Sequence, residues 1–155
     1  MKTSDFKNKK FYVGKTIILP TGAVGMKMVN KTGSASVKGT LVQASSSVAN
    51  SFGIITADDP DPIGVVYESG VADGEECIIA IYGKCQVLLE DSTAATKGYW
   101  VKVSDSENGR ADATNAAPPG GTINAIGDHF MEIGHCLEDV TAGTDKLCWV
   151  MMHFN

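Results

Sequence analysis

The chain has 155 residues, 43% hydrophobic and 20% charged, which argues against disorder and is enough to build one buried core. Its apolar runs are broken every few residues, so no helix can cross a bilayer and no membrane partner is expected. The net charge of −5 is uneven: Lys2, Lys7, Lys9, Lys10 and Lys15 against Asp5 give residues 1–15 a charge of +4, and the rest of the chain carries −9. A basic arm on an acidic body suits an acidic protein surface. It does not suit nucleic acid, which needs many cationic contacts on one face.

The first residues, MKTSDFKNKKFYVGK, hold lysines with no apolar segment behind them, so no secretory leader is expected. We assign residues 1–12 to a basic arm and residues 13–155 to a single β-domain. Short β-branched and apolar runs then follow at about ten-residue intervals. They are KTIILP (15–20), GMKMVN (25–30), VKGTLVQAS (37–45), FGIIT (52–56), IGVVYE (63–68) and ECIIAIYGKCQVLLE (76–90). GYWVKVS (98–104), HFMEIGHCLE (129–138) and KLCWVMMHF (146–154) complete the series. A short helix is possible over 43–51, and 105–128 reads as one long loop. Helical periodicity is nearly absent, and the fold class is all-β: a compact barrel or sandwich.

Two motifs recur in the same order. KGTLVQAS at 38–45 returns as KGYWVKVS at 97–104, and IGVVYE at 63–68 returns as IGHCLE at 133–138. The offsets are 59 and 70 residues, and the difference fits inside the 105–128 stretch. This order indicates two related β-modules on one core, about 15–90 and about 91–155. Gly39 and Gly98 would supply the turn that opens a strand. Gly64 and Gly134, inside strands, would mark a bulge or a close backbone approach.

No reactive constellation is expected. His135 and Cys136 are adjacent on a strand and so point to opposite faces, and the first module has Val65 and Val66 there. His129, His135 and His153 lack a recognised metal-ligand spacing, and neither Asp58-Asp59-Pro60-Asp61 nor the 105–109 acids follow a calcium-loop pattern. PTGAVGMK (20–27) departs from the phosphate-loop spacing and reads as a turn. Cys77, Cys85, Cys136 and Cys148 form no C-x-x-C pair and are expected as reduced core thiols. No enzyme activity, cofactor or metal is assigned.

The order of parts resembles the small head decoration, or capsid cement, proteins of tailed bacteriophages. VGKTIILPTGAVG stands near the start, followed by VKGTLVQAS, DPIGVVYESGVADGEECIIAIYGKCQV, TKGYWVKVS and a closing MEIGHCLEDVTAGTDKLCWVMMHFN. The resemblance implies a structural virion protein on the outer capsid surface, made in the bacterial host cytoplasm. It further implies a homotrimer that clamps neighbouring major capsid protein subunits. The base of a head fibre, or an adhesive head protein, is the alternative; a small β-barrel enzyme or ligand-binding module is the reading from a different class. Capsid contact is expected of the arm, through Lys2, Phe6, Lys7, Lys9, Lys10, Phe11 and Tyr12.

Overall fold

The computed structural model describes residues 15–116 and 126–153. Among them are ten strands: β1 (Thr16–Ile18), β2 (Val24–Asn30), β3 (Leu41–Ala44), β4 (Ser51–Ile54), β5 (Gly64–Val66), β6 (Glu76–Leu88), β7 (Trp100–Val103), β8 (Ala111–Thr114), β9 (Glu132–Cys136) and β10 (Leu147–Met152). The one helix among the described residues, α1 (Ile126–Met131), precedes β9. The fold is all-β, and each of the nine apolar runs contains a strand.

Three local expectations need correction. Residues 43–51 hold no helix: they finish β3, turn, and begin β4. The 105–128 stretch is not one loop, because Ala111–Thr114 pairs with β7 and α1 begins at Ile126. Ala111 and Ala113 bury too little apolar area for ADAT to look like a strand, and β7 supplies the ladder that makes it one. HFM (129–131) ends the helix instead of opening a strand.

The strand order is β1-β2-β4-β3-β5-β6-β10-β9-β7-β8, and β2 also pairs with β6. That extra pairing closes β2, β4, β3, β5 and the first half of β6 into a five-stranded barrel. The second half of β6 pairs instead with β10, beginning at Gly83↔Met152. From there β10, β9, β7 and β8 form a second ring, and a parallel Leu89↔Ala111 bridge returns β8 to the residue after β6. β6 therefore serves both modules.

The two copies of each motif make matching strand pairings. Val42 faces Gly64 and Leu41 faces Val65; 59 and 70 residues later, Val101 faces Gly134 and Trp100 faces His135. Val42↔Ile54 likewise becomes Val101↔Ala113. Gly39 (φ +87°) donates its N–H to Val66 at 2.9 Å, as Gly98 (φ +83°) does to Cys136 at 2.9 Å. These turns need a left-handed residue, which glycine adopts at little cost. The glutamate that ends IGxxxE also has one role in both copies: Glu68 accepts the Ile78 N–H at 3.1 Å and Glu138 accepts the Trp149 N–H at 2.9 Å.

Burial repeats too. Barrel one is filled by Met28, Val42, Phe52, Val66, Cys77 and Ile79. The equivalent positions in the second module, Val87, Val101, Ala111, Cys136, Cys148 and Val150, are all buried in the larger core cluster. Alternation along each strand therefore sends the same residue of each motif inward.

Candidate functional site

The arm residues Lys2, Phe6, Lys7, Lys9, Lys10, Phe11 and Tyr12 lie outside the described residues. What the structure does describe is where each chemically capable side chain points. His135 is half-buried on the outer face of β9, while Cys136 is 2% exposed and faces the core. The pair therefore has no shared reaction space. Cys136 instead lies against Cys148, and their thiol–thiol hydrogen bond pulls Cys136 below its ordinary pKa while driving Cys148 up. Burial pushes the Cys85 thiol up to about 11. All four thiols are free and buried.

The acidic turns are occupied by structural partners. Asp59 accepts the Asp61 N–H at 3.1 Å, Lys102 pairs with Asp105 at 2.6 Å, and Asn108 accepts the Ala57 N–H at 2.9 Å. PTGAVGMK forms the β1–β2 turn, with Gly22 N–H donated to Leu19 at 2.9 Å. A groove of about 600 Å³ runs past Val37, Lys38, Ile54, Leu88, Arg110 and Leu147. The Arg110 guanidinium in it is already matched by Asp91 and Glu107 at 3.0 Å each and by Asp145 at 2.5 Å. It has little charge left for an anionic ligand.

The two modules differ on their outer faces. In module one, Leu41, Val65 and Ala80 point outward from the barrel yet are fully buried, within the cluster that includes Ile17 and Leu19 of the β1 hairpin. In module two the equivalent positions are Trp100, His135 and Met151, and Met151 is 44% exposed. The Trp100 and His135 rings pack at a tilt of 50° with centroids 4.2 Å apart, and the His135 ring centroid lies 5.3 Å from that of His153.

Beside them sits a carboxylate that the sequence did not single out. Glu132 opens β9 and is 2% exposed. In a regular strand it would face away from His135, three residues on. The register between β7 and β9 slips here: Val101 faces Gly134 but Lys102 faces Glu132, leaving Ile133 as an extra residue. Such a bulge re-aims the neighbouring side chains. It brings Glu132 to the His135 side, where ligand atoms of Glu132, His135 and His153 all lie within 4.8 Å of one another. His153 Nε2 is 3.5 Å from Glu132 Oε1, and His129 Nδ1, from the end of α1, is 3.7 Å from Oε2. Of the two glycines expected to mark a bulge or a close backbone approach, Gly134 stands beside the bulged Ile133, and a Cβ on it would run into the Met151 backbone. Gly64 marks a close approach, since a Cβ there would lie 2.7 Å from the Ala80 carbonyl oxygen.

A solved phage protein shares this fold. It is the N base of head fibre gp8.5 from bacteriophage phi29, matched with a TM-score of 0.52 at 15% sequence identity over 83% of this chain and 92% of that one. At that identity the likeness is one of fold, and it spans both modules. No protein-family model matches the chain, and no curated protein matches it in sequence.

Proposed function

We propose that this chain is a structural protein of a tailed-phage head, carried on the outer surface of the capsid. The observation that carries this reading is the two-module β fold, which follows the phi29 head-fibre base over nearly its whole length. The decoration-protein pattern found independently in the sequence supports it. A non-enzymatic role is supported by chemistry: the best nucleophile candidate, Cys136, faces the core with its back to His135.

In the first form of the proposal, the chain clamps neighbouring major capsid subunits, as a homotrimer. A rigid domain that binds the assembled lattice but not free subunits stabilises that lattice by mass action. Many symmetric copies make modest single contacts sufficient. The basic arm supplies the charge complement, with Phe6, Phe11 and Tyr12 as anchors among its lysines. In the second form, which the fold likeness equally supports, the chain is the base of a head fibre.

Co-sedimentation of the purified chain with heads lacking it tests the common part; failure to bind heads overturns both forms. Loss of DNA from such heads at lower temperature, restored by adding the chain, is the outcome expected of a clamp. Unchanged head stability with the chain still bound selects the fibre base. Deleting residues 2–12 should abolish head binding while leaving the thermal melt of the domain in place, and retained binding would remove the arm from the contact.

A further inference from the structure

We propose that Glu132, His135 and His153 form a binding site for one first-row divalent transition-metal ion, with zinc as the representative. This goes beyond the head-protein reading and does not depend on it.

The donor set decides the class of ion. Two imidazoles and one carboxylate match zinc, cobalt, nickel or copper, whereas calcium and magnesium take oxygen ligands. The geometry is close to what such an ion requires. With metal–ligand bonds of about 2.0–2.1 Å, neighbouring ligand atoms in a tetrahedral site sit about 3.3 Å apart. The His153–Glu132 separation of 3.5 Å already matches that edge, and the ligand atoms of all three residues lie within 4.8 Å of one another. Three protein ligands leave a fourth position for water or a donor from a neighbouring molecule.

The fold holds the three donors from independent directions. The Ile133 bulge aims Glu132, and the tilted Trp100 ring packs against the His135 ring. The backbone N–H of His153 is tied to the Ile133 carbonyl at 3.0 Å, which fixes the residue just past β10 against β9. His129 approaches the other carboxylate oxygen and acts as a positioning residue. Surrounding groups that hold or tune metal ligands in this way are a regular part of metal sites.

The duplication supplies an internal comparison. At the positions equivalent to Glu132, His135 and His153, module one carries Pro62, Val65 and Tyr82. The fold thus forms without ligating side chains there. Bound metal would cross-link the end of β10 to the start of β9, at the edge of the face formed by half-buried Trp100 and exposed Met151.

The test uses the tag-free, full-length chain after EDTA treatment. Calorimetric titration with zinc chloride is expected to give one equivalent per chain, with a rise in Tm that EDTA reverses. Cobalt(II) should give the visible bands of a low-coordinate site. His135→Val and His153→Tyr install the module-one residues and should each weaken zinc binding by at least about tenfold, as should Glu132→Gln. His129→Ala should weaken it by a smaller factor with stoichiometry unchanged. Absence of zinc binding by the wild-type chain overturns the site. So does binding of unchanged affinity in folded His135→Val and His153→Tyr variants, or magnesium binding as tight as zinc.

Discussion

Replacing Gly134 by alanine tests the physical account of the duplicated strand most directly. Gly134 sits at φ +148° in the middle of β9, facing Met152 on one side and Val101 on the other. A Cβ there would run into the Met151 carbonyl oxygen, with Met151 C at 2.9 Å and Met152 Cα at 3.0 Å. These are backbone atoms of a paired strand and cannot rotate aside. The φ strain costs about 1–3 kcal/mol, and forcing the strands apart costs about 1–3 more. The sum, about 4 kcal/mol, is a large part of the roughly 5–15 kcal/mol that stabilises a domain. Two internal controls separate the terms. Gly98→Ala has a φ of +83° but nothing within 4 Å of the new methyl, so only the left-handed penalty of about 1–2 kcal/mol remains. Gly64→Ala meets the Ala80 carbonyl oxygen at 2.7 Å without a positive φ, so only the packing cost of about 1–3 kcal/mol applies. Urea unfolding gives the readout. With an m-value of about 2 kcal/mol/M, Gly134→Ala should move the midpoint down by about 2 M, and each control by about half that or less. A Gly134→Ala midpoint within about 0.5 M of wild type, or equal losses at Gly98 and Gly134, would refute the reasoning.

The paired glutamates should behave as equals. Glu68→Ala and Glu138→Ala each remove a charged acceptor from a strand N–H and should cost about 1.5–3 kcal/mol apiece in urea unfolding. The double variant should lose their sum, since the two serve different barrels; a strong departure from additivity would contradict separate roles. Asp139 is held below its ordinary carboxyl value of 3.8 chiefly by the Lys97 N–H at 2.9 Å, so its contribution is present above that pH and is lost as acid protonates it. Burial raises Asp112, with the opposite sign: its stabilising contribution is full below pH 3.8 and is lost as pH rises through the folded value. NMR titration should place the Asp139 midpoint below 3.8 and that of Asp112 above it; the reverse order would contradict both assignments. The native thiols should resist a water-soluble disulfide reagent at pH 8, and all four should become reactive once denaturant opens the core. Rapid labelling of the native chain would show that the thiols are not core residues.

The strand content and the duplication were legible in the residues because both rest on local chemistry. Alternating apolar side chains and glycines at fixed spacing specify strands and turns without reference to distant parts of the chain. The opposite aim of His135 and Cys136 follows from the same two-residue period. The sequence could not say that the recurring IGxxxE glutamate caps a strand N–H ten or eleven residues on, although its recurrence was the signal that it had a structural task. ADAT at 111–114 escaped for a related reason: its own side chains are too small to declare a strand. Carrying FGII at 52–55, which overlaps β4, forward by 59 residues would have located it.

What the sequence determined by itself was the class of fold and the recurrence of its motifs in one order. Only the tertiary structure decided that one long strand would serve two barrels, and that the outer face buried on module one would lie open on module two. It also decided which polar groups meet. Glu132 and His135 are three residues apart and belong on opposite faces of a regular strand. A single extra residue in β9, fixed by pairing with β7, puts them on one face, and the end of β10 brings His153 to join them. Register between strands is a long-range property, set by partners far away in the chain, and that is why the cluster could not be read from spacing alone.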